Sequence, residues 1–162
     1  MLIWFAAFAV LVVAAVFDSP AMDYRFVIVG AVLPVIEVVI GHPYVLHTLV
    51  GCVGAFLLVA LLTRGRRLAA RRFVGVPIGL FLHLVADGTW AHASLFWWPF
   101  LGGQAFGHGD VPERGHLAGS LVLEVVGILA VVWIVRRYEL FEAEPRRRFL
   151  DTGRLDGERS VR

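Results

Sequence analysis

Lysine is absent from this 162-residue chain and cysteine occurs once, at Cys52 in an apolar run. A lone cysteine excludes an intrachain disulfide and a thiolate metal cluster. Among apolar neighbours it reads as a small buried hydrophobe. Charge is scarce, at 17% of residues against 59% hydrophobic, and no basic stripe interleaves with aromatics, so nucleic acid is not an expected partner. Residues 1–135 balance seven Arg against seven acids, and the small positive excess sits in residues 136–162, with eight Arg against six. What the chain has in quantity is apolar sequence. A mean hydropathy of +0.77 lies outside the range of soluble domains and predicts an integral membrane protein.

Apolar runs at about 2–17, 26–41, 44–63, 73–86 and 117–135 predict an all-α, polytopic transmembrane bundle of about five helices within residues 1–137. Each run is near or below the roughly 20 residues of an upright span. Residues 138–162 read as a charged, disordered tail. The first run lacks the basic start and cleavage site of a signal peptide, so it is expected to be retained. Arg64, Arg66, Arg67, Arg71 and Arg72, with Arg136 and Arg137, assign the third connection and the C-terminus to the cytoplasmic side of the cell (inner) membrane. Arg146, Arg147 and Arg148 are expected to touch anionic headgroups. The connection 88–115 carries Trp97, Trp98 and Pro99, suited to a membrane interface, and then a Gly-rich stretch that reads as a surface loop or a lid.

That topology gathers Glu37, His42, His47, His83, Asp87, His116 and Glu124 near the outer face, although they come from four segments. Ionisable groups at such depth are costly unless paired, ligated or wet, which makes them functional candidates. His83 and Asp87 are one helical turn apart, able to bind one ion or each other, and imidazole with carboxylate suits zinc, manganese or iron. His42 and His47 flank a turn that Pro43 imposes, so both could lean toward that pair. A polar membrane-exit turn is the plainer account. Glu37, beyond Pro34, needs a partner and is either ligand or base. His116, Ser120 and Glu124 step by four along the last run, a stripe facing the site or a neighbouring helix. His92 is a further candidate ligand, whereas His108 lies among glycines and reads as exposed. Asp23 and Arg25 read as a helix-end charge pair on the opposite side.

The order Pro34 and Glu37, then His42 and His47-Thr48, then His83 and Asp87, then Trp98-Pro99 resembles the LexA-regulated inner-membrane metal-dependent hydrolases. Their pattern runs PDxD, H-R-x-x-T-H-S, H-x-x-x-D and a downstream W-P. The resemblance covers about residues 30–100 and preserves spacing better than letters. It implies kinship with zinc-dependent phospholipase C-like enzymes, a phosphoester substrate and a divalent metal. Carried over, Glu37 stands at the second acid, His42 and His47 at the two histidines, Thr48 at the serine, and His83 and Asp87 at the last pair. Val35 replaces the first aspartate and Pro43 the arginine, and the family's N-terminal histidine has no counterpart, which leaves room for a single-metal site or a lapsed enzyme.

The resulting expectation is a membrane-embedded, metal-dependent hydrolase acting on a lipid or phosphoester at the extracytoplasmic face. His42, His47, His83, Asp87 and Glu37 are its metal ligands, and Glu37, Asp87 and Glu124 its catalytic carboxylates. Zinc is the expected ion, with manganese or iron as alternatives, and membrane lipids the expected partners. The competing expectation is a non-catalytic metal- or proton-binding membrane protein, either a transport component or a structural subunit.

Overall fold

The computed structural model describes residues 1–17, 22–102 and 117–155, and among these the only regular structure is helical. Helix α1 (Leu2–Phe17) is apolar all round and buries Phe5, Ala9 and Val13 along one stripe, the four-residue step of a single helix face. α2 (Tyr24–Val32) follows Asp23, whose carboxylate accepts the Arg25 N–H as an N-cap. Pro34 then ends this direction, because proline offers no N–H and clashes with the preceding turn. α3 (Val35–Ile40) resumes and closes at Gly41, whose φ of 103° suits a left-handed C-cap.

A 3-10 turn (Val45–His47) leads into α4 (Leu49–Leu62), capped by Thr48, whose Oγ1 accepts the Gly51 N–H at 3.0 Å. α5 (Arg67–Phe73) and α6 (Gly75–Ala86) are nearly continuous. Pro77 lacks the N–H that would bond the Phe73 carbonyl, which accounts for the break between them. A second 3-10 turn (Thr89–Ala91) and the short α7 (Ala93–Phe96) follow, then α8 (Leu117–Arg137) and α9 (Ala143–Thr152).

Glycine sets the central packing. Gly75 and Gly79 lie one turn apart on α6 and face Val27 of α2, while Gly30 of α2 faces the Val76 carbonyl; a Cβ on Gly30 or Gly79 would run into backbone oxygen. Small residues at this spacing let two helices approach to backbone contact. That contact carries His83, one turn beyond Gly79, onto the Ala31 carbonyl. α1 covers the pair from one side and packs on α8, where Gly127 leaves room for the backbone of Trp4.

Among the described residues, two stretches are long and apolar enough to cross a membrane, 67–86 through α5 and α6, and 119–137 within α8; α1 and α4 are apolar but shorter. Outward-facing side chains on these elements are large and apolar: Phe56, Leu57, Leu61 and Leu62 on α4, and Leu121, Val122, Leu129 and Trp133 on α8.

The tail differs from its expected disorder as far as residue 155. α9 forms there, with Arg147 and Asp151 at 3.7 Å and Glu144 and Arg148 at 3.8 Å supporting it one turn apart. Gly153 ends it at a φ of 72° and its carbonyl accepts the Tyr24 N–H at 2.8 Å. Leu155 is buried with Ile134 in the main core, and the partly buried Phe149 and Tyr138 pack against it. A few apolar residues inside a charged stretch suffice, because the end of the bundle already presents a matching surface.

Candidate metal centre

His47, His83 and Asp87 form a group that can hold a metal ion. Each offers one ligand atom, and those atoms lie within 4.8 Å of one another. Asp87 Oδ2 stands 3.8 Å from His47 Nε2 and 3.8 Å from His83 Nε2, and all three side chains are fully buried. A tetrahedral zinc site with bonds of about 2.0–2.1 Å separates its ligands by about 3.3–3.4 Å. The carboxylate contacts therefore sit within about half an ångström of that spacing.

The far side of each imidazole is already engaged. His47 Nδ1 donates to Glu37 Oε2 at 2.7 Å, and His83 Nδ1 donates to the Ala31 carbonyl at 2.7 Å. With the proton held on Nδ1, the neutral ring presents its Nε2 lone pair inward. Carboxylate or carbonyl partners behind ligating histidines are the usual device for fixing tautomer and ring orientation. His47 Nε2 is buried and makes no hydrogen bond among the described residues, a costly arrangement in an interior unless an ion takes the lone pair. The donor set and this buried nitrogen fit a divalent metal. The Phe5 ring lies 4.0 Å from that of His83, and the two imidazoles meet edge to face at 5.4 Å.

Asp87 closes the C-terminus of α6, and Gly88, at a φ of 78°, turns the chain sharply after it. The Thr89 N–H donates to Asp87 Oδ1 at 2.8 Å and the Thr89 hydroxyl lies 2.6 Å from each carboxylate oxygen. Thr89 is fully buried, so the carboxylate is held from behind as firmly as the rings are.

Glu37 lies behind His47. Besides the imidazole, Oε2 accepts the Tyr44 N–H and Oε1 the Leu46 N–H, both at 2.8 Å. Both oxygens are thus committed to the turn that presents His47, and Glu37 is outside the three-residue group. His42 stands exposed just after Gly41 and is not a member of that group either. Thr48 caps α4 and also donates to the Val45 carbonyl at 2.8 Å. Glu124 accepts the Ile3 and Trp4 N–H groups at 3.2 Å each, with the terminal amine 4.0 Å away. It serves the N-terminus of α1, where a carboxylate complements unpaired N–H groups and the helix dipole. Ser120 is partly exposed on α8 and His92 is exposed ahead of α7. His108, His116 and the Gly-rich stretch lie outside the described residues.

Sequence reasoning missed Thr89, Phe5 and the Ala31 carbonyl. Thr89 had a signal, since Asp-Gly-Thr is a sequence in which an aspartate bonds the backbone two residues on. A backbone carbonyl and a stacking phenylalanine carry none. Compared with protein-family models, with curated proteins and with solved structures, the chain has no match.

Proposed function

We propose that the chain is an integral membrane protein with a metal centre at His47, His83 and Asp87 that serves a metal-dependent hydrolase acting on a lipid or phosphoester at the extracytoplasmic face. The observation that carries the reading is the convergence of two Nε2 atoms and one carboxylate oxygen, each backed by its own hydrogen-bond partner. Two imidazoles and a carboxylate, with no fourth side-chain donor among the described residues, match the donor set of a catalytic site that keeps a position open. A divalent ion held there would supply Lewis acidity toward a phosphoryl or acyl oxygen and toward water. His47 and His83 would hold the ion through their Nε2 atoms and Asp87 would offset its charge, while Glu37 and Thr89 keep these side chains in place.

Membrane embedding is supported by the two apolar stretches of spanning length and by the apolar side chains that face outward. The five apolar runs of the sequence favour five crossings, and the arginine distribution favours a cytoplasmic C-terminus. In that topology the centre lies toward the outer face, which favours substrates at headgroup depth.

Complete burial of all three ligand side chains favours a second reading, a metal site that only holds α6 to the 3-10 turn before α4. Purified protein loaded with zinc or manganese separates the two on a panel of defined phospholipids and soluble phosphoesters. Headgroup or phosphate release that disappears in Asp87→Ala supports the hydrolase. No turnover on any member, together with thermal stabilisation by the metal, rejects it in favour of the structural role.

A further inference from the structure

Far from the metal centre, α5, the start of α2 and the end of α9 enclose a polar cleft of about 250 Å³. It sits at the N-terminal end of the α5–α6 pair. Arg72 and His83 are eleven residues apart, about 16 Å of helix.

Among the described residues, four guanidinium groups line the cleft, from Arg25, Arg71, Arg72 and Arg154, against two carboxylates, Asp23 and Asp151. Asp23 is 3% exposed and works as the floor. Arg25 donates to it through Nε at 2.9 Å and Nη2 at 2.8 Å, and Arg72 through Nε at 3.1 Å. The third Arg25 nitrogen, Nη1, donates to the Leu150 carbonyl, which ties α9 to the floor. Asp151 is largely exposed and turns to Arg147. Arg71 and Arg154 make no ion pair among the described residues, though the fold holds them beside the two arginines already committed to Asp23.

The described residues of the cleft thus carry two positive charges beyond what their carboxylates offset, on planar groups that match phosphate oxygens in pairs. We infer that this cleft binds a phosphate-bearing anion, with Arg71 and Arg154 as its grip and Arg25 and Arg72, fixed by Asp23, as its wall. Free phosphate and the headgroup of an anionic lipid share this chemistry. The site is independent of the metal centre.

The test is binding by full-length protein in zwitterionic detergent of two probes, inorganic phosphate and dihexanoyl phosphatidic acid, followed by titration calorimetry. Saturable binding of at least one is expected. It should weaken by roughly tenfold or more in Arg71→Gln/Arg154→Gln, which removes the charge-assisted bonds. It should change by less than about twofold in Arg66→Gln/Arg146→Gln, which loses the same charge outside the cleft. Leu68→Glu adds a carboxylate at an 83% exposed position on the cleft rim. It should weaken binding without endangering the fold. Phosphate binding alone identifies a free anion, and preference for the lipid identifies a headgroup. Asp87→Ala should bind either probe normally. Three results overturn the inference: no binding of either probe, equal weakening in the two double variants, or loss of binding in Asp87→Ala.

Discussion

Replacing Glu37 by Gln changes one atom and tests whether that carboxylate orients the centre or ligates it. Glu37 accepts three hydrogen bonds, from His47 Nδ1 at 2.7 Å and from the Tyr44 and Leu46 N–H groups at 2.8 Å. Glutamine keeps one acceptor oxygen and turns an NH2 toward a donor, so at least one of these bonds is lost. Loss of such a buried, charge-assisted bond costs about 1–3 kcal/mol of stability. Loss of an orienting partner behind a ligating histidine costs about 10–100-fold in metal affinity, equivalent to about 1.4–2.8 kcal/mol. The assay is competition for zinc with a chromophoric chelator on detergent-purified protein, with helicity monitored in parallel. Glu37→Gln should keep its helices and bind zinc one to two orders of magnitude more weakly, whereas Asp87→Ala should lose measurable binding. Unchanged affinity in Glu37→Gln refutes the orienting role, and loss as complete as in Asp87→Ala makes Glu37 a ligand.

Thr89→Val removes the hydroxyl that lies 2.6 Å from both Asp87 oxygens but keeps the backbone bond; zinc affinity should fall about tenfold, and an unaltered titration would show that the hydroxyl holds nothing. Gly79→Ala drives a Cβ into the Val27 carbonyl, whereas Gly54→Ala meets open space. Thermal unfolding should show the first destabilised by about 1–3 kcal/mol and the second stabilised by up to about 1 kcal/mol, and shifts of the same sign would contradict the close α2–α6 packing. Burial pushes the Asp23 carboxyl up, but the hydrogen bonds and charge of Arg25, joined by Arg72, outweigh it and leave the group below its ordinary value. Its contribution is therefore present above the ordinary carboxylate value and is lost as pH falls through the lowered one. Wild type should exceed Asp23→Asn in stability at neutral pH, the gap closing in strong acid; a gap independent of pH would speak against this linkage.

The helices were legible where apolar runs are long. α1 coincides with its run at 2–17, and α8 extends the run at 117–135 by two residues. Pro34 and Pro43 marked the interruptions for the reason proline always does. Within the centre, His83 and Asp87 were readable as a pair because four residues make one turn. Their meeting with His47 depends on how closely α2 and α6 approach, which three glycines decide and no periodicity displays. The choice between His42 and His47 rests on the turn that Glu37 organises, so exposure of the first and burial of the second had no local signal. Glu37 and Glu124 were recognisable as carboxylates needing partners. Glu37 pairs with the nearby His47 as well as with two backbone N–H groups, whereas the partners of Glu124 are backbone N–H groups, one of them 120 residues away, and backbone donors look alike in any sequence. α9 was hidden by its charge, since only Phe149 and Leu155 report that it docks.

Bound metal in the detergent-purified protein, measured by elemental analysis after reconstitution with zinc or manganese, tests the centre most directly. Near-stoichiometric metal in wild type and in His42→Ala, lost in His47→Ala, His83→Ala and Asp87→Ala that keep wild-type helicity, is the predicted result. A wild-type protein that retains no metal, or a His42→Ala variant that loses it along with the others, contradicts a three-residue site at His47, His83 and Asp87.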